Sequence, residues 1–343
     1  MKNLLMLNLQ LFANTVQTTL LSGLSAEMKT YYDMNLINEA SANLVHDQFG
    51  QKRPIPKGGG KTIEFRKFSP LAKATTALTE GVTPDGKSLT VTTITATVAQ
   101  YGDYITQSDM LELTALDNTI IEATKLLGKQ AGATLDTVVR NVLVAGNNVS
   151  YCPKVSAAGA ETAVTSRSGM DTTSKLTVKA IQKAVAKLRG QNAPTIGGKY
   201  IGIIHPYVAY DLMRDSEWID AHKYATPENL YTGEIGEIAG VRFVQTTEAK
   251  VWNDTTCPAN GDSKKHSVFA TLIFGEGAYG TTDIEGGGLQ TIVKQKGSAG
   301  TADPLDQRSS VGWKAVKVAE LLVPNYLVRV ESCSPDFDET ASN

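Results

Sequence analysis

Leu89-Thr90-Val91-Thr92-Thr93-Ile94-Thr95-Ala96-Thr97-Val98 is the stretch on which the reading of this chain turns. β-Branched side chains crowd it, and they favour a pleated strand over a helix. Every second position is hydroxylated or small, so one face of this strand is not core. Upstream, Thr62 to Phe68 alternates Ile63 and Phe65 with Glu64 and Arg66 and makes a natural partner strand. The intervening Ser69 to Ser88 is polar and carries the turn signal Pro84-Asp85-Gly86. A two-stranded hairpin is marginal in water by itself. The expectation is a long hairpin that projects from the body and needs a surface an isolated chain does not offer.

Working outward toward the N-terminus, Pro54-Ile55-Pro56-Lys57-Gly58-Gly59-Gly60 forbids helix and precedes the first strand. Before it, Ala26 to Phe49 has Met28, Tyr31, Tyr32, Leu36, Ala40, Leu44 and Val45 near helical spacing. Leu4 to Phe12 is leucine-rich, yet Asn8 and Gln10 interrupt it and no small-x-small site follows, so a docking arm fits better than a signal peptide. Toward the C-terminus, Ser108 to Val144 reads as a long spine helix. Asp109 and Glu112 form its capping pair, and Leu113, Leu116, Ile120, Leu127, Ala131, Leu135, Val138 and Val142 make its apolar stripe. A break near Asp117-Asn118 is compatible with that pattern.

Ser174 to Gly297 alternates helix and strand as a compact α/β unit. Its parts are a helix with Val178, Ile181, Val185 and Leu188 on one face, the strand Tyr200 to Ile204, a short helix ending near Met213, and strands on either side of Ala239-Gly240. Val268 to Phe274 is a buried strand. Val311 to Val323 and Tyr326 to Val330 flank Pro324-Asn325 and read as a half-buried returning hairpin. The fold class is therefore α+β.

Composition narrows the function. Lys plus Arg number 33 against 35 Asp plus Glu, a formal net charge of -2. A dedicated nucleic-acid binder usually shows a basic excess, so the balance argues against tight sequence-specific binding of DNA or RNA and leaves room for loose contact with DNA. Cys152, Cys257 and Cys333 are too scattered for a disulfide framework or a metal knuckle, and His46, His205, His222 and His266 show no paired spacing. Two phosphate-loop look-alikes fail on context. Gly60-Lys61-Thr62 lacks the glycine that a phosphate loop needs at Ile55 and leads into a strand. Gly275-Glu276-Gly277-Ala278-Tyr279-Gly280 matches the dinucleotide pattern literally, but Gly286-Gly287-Gly288 follows where a helix is required, and a turn between strands is the better reading. Catalytic, cofactor and metal residues are absent from this reading.

Asp303-Pro304-Leu305-Asp306-Gln307-Arg308 with Val311-Gly312-Trp313-Lys314, the run Gly233 to Phe243, the Gly275 to Gly280 turn and the opening Leu7-Asn8-Leu9-Gln10-Leu11-Phe12-Ala13 together resemble tailed-bacteriophage major capsid proteins. Within them the chain looks most like the capsid family named after the coliphage N-four. The resemblance implies a Hong Kong 97-type fold: an N-terminal arm (1–60), an extended E-loop hairpin (61–105), a peripheral (P) domain (106–173 and 298–333), an axial (A) domain (174–297) and a tail (334–343). It implies assembly contacts at the E-loop tip (Lys73, Glu80, Asp85, Lys87), in the P domain (Arg308, Trp313) and at the A-domain turn (Gly275, Gly277, Gly280). It further implies pentamers and hexamers closing an icosahedral shell around double-stranded DNA. A separate scaffolding protein, portal and head-completion proteins would be the partners, with no membrane, no cofactor, assembly in the host cytoplasm and residence in the virion. An encapsulin-like nanocompartment shell is the alternative, and a nucleotide-binding α/β enzyme the distant one.

Overall fold

The computed structural model describes residues 36–37, 39–40, 44–68, 71–83, 85–114, 119–156, 159–225, 236–254, 257, 266–298, 303–337 and 342–343. The leucine-rich opening and the first part of the expected arm helix lie outside them. Helical backbone is described at 36–37 and 39–40, and residues 46–49 form turns, so the arm helix stops short of Phe49.

In chain order the strands and helices begin with β1 (Gln51–Lys52), β2 (Thr62–Phe68), β3 (Val91–Thr97) and β4 (Ala99–Ser108). Helices α1 (Asp109–Thr114) and α2 (Thr119–Val144) follow, then β5 (Val149–Tyr151), β6 (Lys154–Val155), β7 (Glu161–Thr162), α3 (Val178–Gly190) and β8 (Tyr200–Ile204). Next come α4 (Pro206–Met213), α5 (Ser216–Ala225), β9 (Glu237–Ile238), β10 (Val241–Gln245), β11 (Val251–Trp252) and β12 (Val268–Phe274). The last are β13 (Tyr279–Thr282), β14 (Gln290–Lys294), β15 (Arg308–Leu321) and β16 (Leu327–Cys333).

Two sheets organise the body. One runs β5-β16-β12-β8-β10-β9, with β11 also on β12. Its central strand β12 is buried at every position, as a strand covered on both faces must be. Helix α3 covers one face, burying Val178, Ile181, Ala184, Val185 and Leu188 against Phe269, Ile273, Val328 and Val330. Each fully buried branched side chain there contributes about 1.5–3 kcal/mol. Thr177 caps the helix by accepting from the Ala180 amide. Between β9 and β10, Ala239 and Gly240 both adopt positive φ (54° and 81°), the geometry of a tight hairpin turn.

The second sheet is built around β15, fourteen residues long. On one side β15 pairs with β4 along 308–317, and on the other with β14 and then β13. Parallel β1 closes the β13 edge. Helix α2, 26 residues and about 39 Å long at 1.5 Å per residue, packs Leu127, Ala131 and Leu135 onto Val311, Trp313 and Ala315 of this sheet. Its C-terminal turns pack Val139, Leu143 and Val144 against Ile203, Leu272 and Phe274 of the other sheet. The spine thus joins both layers.

Three expectations need correction. The spine is described as α1 and α2, and the expected break near Asp117-Asn118 falls on residues 115–118, outside the described residues. The helix cap is Ser108, whose hydroxyl accepts from the Leu111 amide, one residue earlier than expected. The expected stripe drifts after Leu135: the buried positions are Val139 and Leu143, while Val138 and Val142 are only half-buried, and Leu113 is exposed. The returning hairpin does not form. β15 and β16 meet at a short 3-10 turn, Pro324–Tyr326, but enter different sheets, and β16 is buried nearly throughout.

That last point moves the expected boundaries. β16, assigned to 298–333, completes the β12 sheet, whereas β13 and β14, assigned to 174–297, complete the β15 sheet. The segment 99–105, assigned to the hairpin unit, is the first part of β4 and pairs with β15. The reason is that backbone pairing joins segments far apart in sequence, so a contiguous division cannot follow the sheets.

Candidate assembly surfaces

The hairpin that opened the reading forms as expected. β2 and β3 pair antiparallel from Thr62 opposite Thr97 to Phe68 opposite Val91. Its root is fixed to the body: Phe65 and Ala96 are buried against Leu322, with Val318 and Val323 alongside. Beyond the root no described residue of the subunit covers it. Described residues 71–83 and 85–90 have no regular secondary structure and are exposed throughout. Phe68, Leu71, Val82 and Leu89 are all well exposed, and Leu78 is 78% exposed. Lys87 Nζ donates to the Ala72 carbonyl at 3.2 Å and closes the loop on itself. A concavity of about 550 Å³ results, lined by Leu71, Lys73, Leu78, Val82, Asp85 and Lys87. Lys73, Asp85 and Lys87 therefore stand together, with exposed Glu80 on the same loop. Contiguous exposed apolar surface of this kind marks an interaction site.

The two residues expected at P-domain contacts part company. Arg308 starts β15, its amide donates to Asp303 Oδ2 at 2.8 Å, and its side chain is 62% exposed. Trp313 is 3% exposed. It lies in the core between α2 and β15, and its indole N–H donates to Gln130 Oε1 at 3.3 Å. Gln130 in turn donates to Asp103 Oδ2 at 2.6 Å, so the pair fastens β4 to the spine. That hydrogen bond, then the Tyr104 amide, holds the Asp103 carboxyl below the usual range. Within the subunit Trp313 is an internal brace.

The Gly275 to Gly280 run is a turn between β12 and β13, with a strand rather than a helix after it. Gly277 has positive φ (71°). A Cβ on Gly275 would lie 2.2 Å from the Pro194 carbonyl oxygen, and one on Gly280 would lie 2.9 Å from the Phe65 ring at the hairpin root. These glycines serve close packing, not phosphate binding. Likewise Gly60-Lys61 runs directly into β2.

Sequence reasoning missed two buried polar clusters. His46 Nδ1 lies 2.6 Å from Asp136 Oδ2, and Asp136 Oδ1 accepts from the amides of Val45 (2.9 Å) and His46 (2.7 Å). The Tyr279 hydroxyl donates to the His46 carbonyl, and its burial pushes the phenol pKa up. Arm, spine and β13 are pinned at one point. In the second cluster fully buried Glu331 accepts from Arg167 Nε and Nη2 (2.8 and 2.9 Å) and from Arg329 Nε (2.9 Å). Arg167 stacks over the Trp252 ring at 3.7 Å, and Arg329 also donates to the Val144 and Gly146 carbonyls at the end of α2. Only the helical spacing of Asp136 within an otherwise apolar stripe could have signalled the first cluster.

Comparison with solved structures places this α+β architecture among viral shells. The capsid of cyanophage P-SCSP1u is 15% identical, with 95% of this chain and 94% of that chain covered at a TM-score of 0.63. The cyanophage Pam1 capsid is 12% identical (94% and 97% covered, TM-score 0.61), and the capsid of Ralstonia phage GP4 is 11% identical (86% and 90%, TM-score 0.63). No curated protein matches the chain. The family is settled by sequence: residues 8–298 match the phage capsid protein family, and the chain belongs to it. It is a major capsid protein, a structural component of the virion that associates with itself, and not an enzyme.

Proposed function

We propose that this chain is a Hong Kong 97-type shell subunit, closest to the capsid family named after the coliphage N-four, that forms pentamers and hexamers of an icosahedral head around double-stranded DNA. In this reading residues 1–60 are the arm, β2 and β3 with their loop are the E-loop, α2 with β4 and β13 to β15 is the P domain, and the β12 sheet with α3 to α5 is the A domain. A separate scaffolding protein, portal and head-completion proteins are its partners, and assembly takes place in the host cytoplasm. The observation that carries the reading is the loop 71–90. With Phe68 at its base, its exposed Leu71, Leu78, Val82 and Leu89 have apolar surface to bury, and no described residue of the subunit covers it.

Many such contacts, each modest, sum to a closed shell because every bond made raises the effective concentration for the next. Deleting residues 69–88 tests the assignment. The loop stands outside the cores, so the variant is expected to stay soluble and folded by circular dichroism while forming no closed particles in negative-stain micrographs. Normal particles from that variant would overturn the E-loop assignment.

A further inference from the structure

Helix α3 has a charge pattern the shell reading leaves unexplained. Between Val178 and Gly190 it carries Lys179, Lys183, Lys187 and Arg189, and no Asp or Glu. Lys179, Lys183 and Lys187 repeat every four residues, about 6 Å apart along one face. Like charges at that spacing destabilise a helix rather than support it. Lys187 is half-buried and donates to the Val149 carbonyl at 3.4 Å, and its ammonium pKa is lowered first by burial and then by Lys183. In a chain with net charge -2, this is a local concentration of one sign.

The surroundings extend the feature. Beside the helix, Ser150, Tyr151, Thr177, Lys179 and Lys183 line a groove of about 220 Å³. The carboxylate in its lining, Glu161, is bound to Lys179 at 2.7 Å. Exposed positions of α3 are Lys179, Gln182, Lys183, Ala186, Arg189 and Gly190, with no large apolar side chain. Protein interfaces are depleted in lysine and centre on aromatic or aliphatic anchors. A lysine row without an anchor suits a polyanion whose charges recur along its length, as duplex DNA does at one per about 1.7 Å.

We propose that the exposed face of α3, with Lys183 on it and half-buried Lys187 at its edge, is a contact surface for the phosphate backbone of packaged duplex DNA. This rests on the shell reading and assigns the inward-facing side of the subunit. The contact is independent of base sequence, because lysines reach phosphates without reading base edges.

The test titrates full-length protein with a DNA duplex of about 30 base pairs across a salt series and compares Lys183→Gln/Lys187→Gln with the parent. Two lost phosphate contacts are expected to lower the slope of log affinity against log salt by about 2 and to weaken binding about tenfold. Lys125→Gln/Lys129→Gln on α2 removes equal charge elsewhere and should leave the slope unchanged. Lys183→Arg/Lys187→Arg should keep it. An unchanged slope in the α3 glutamine variant overturns the proposal. So does a variant that binds DNA like the parent yet no longer closes shells, since the face would then meet an acidic surface of another subunit. Binding is read on the free chain and shell closure separately by negative-stain microscopy. A parent chain that forms no shells therefore bears on the shell reading, whereas a salt slope unchanged in the α3 glutamine variant bears on α3 alone.

Discussion

Asp136 sits inside α2, fully buried, and accepts hydrogen bonds from two backbone amides of the arm besides meeting the His46 ring. Removing a buried acceptor leaves its donors unpaired, at about 1–3 kcal/mol for each. Asp136→Ala is expected to lower unfolding free energy by about 3 kcal/mol in a denaturant titration, and Asp136→Asn, which keeps an oxygen for the amides, by less. His205 makes a different kind of prediction. It caps α4 by accepting from the Tyr207 amide, lies between Tyr207 and Phe269, and burial lowers its pKa from 6.5 to about 4. Between those two values the unfolded chain holds the extra proton and the folded chain does not. Stability is therefore full above pH 6.5 and falls as pH drops toward 4, by at most about 3 kcal/mol. His205→Asn retains a capping side chain and should flatten that acid limb in unfolding curves measured at several pH values.

At the scale of elements, the contact between arm and spine depends on Gly132. Glycine inside a helix costs about 1 kcal/mol relative to alanine. Here a Cβ would lie 2.4 Å from the Ala40 carbonyl oxygen, so the position is kept for close approach. Gly132→Ala should stabilise the isolated helix yet displace the arm, seen as faster hydrogen exchange around residues 36–46 with little change in the α3 region. The same comparison explains which elements were legible in the sequence. β2, β8, β12, α3 and α4 follow the boundaries expected from periodicity, because their partners bury one face or both in a regular way. β4 escaped notice because Ala99 to Ser108 is exposed at most positions and offers no alternation. β16 was read as half-buried because Arg329 and Glu331 look like a solvent face. Glu331 is fully buried and Arg329 only partly exposed, because each neutralises the other, with Arg167 adding a third charge. Of the residues expected at assembly contacts, the exposure of the loop positions is legible from an unpaired polar hairpin, whereas the burial of Trp313 is not, since an aromatic in a strand gives no sign of which side covers it.

For the whole molecule, the two sheets are interlocked by α2, whose two halves enter separate cores, and by β15 and β16, which follow each other and finish one sheet apiece. Such an arrangement predicts one cooperative transition rather than two, with fluorescence of Trp218 and Trp252 in the β12 layer and of Trp313 in the β15 layer reporting the same midpoint. Single-tryptophan variants would measure it, and separated midpoints would show the layers to be independent.

β15 and β16 are also the last described strands to leave the ribosome, and until they do β12 lacks a neighbour along its full length and β4 lacks its one partner among the described strands. The root of the hairpin likewise waits for Leu322, which follows β15. The late strands thus act as a clock: a copy that has not yet made them has no finished body behind its hairpin to offer a neighbour.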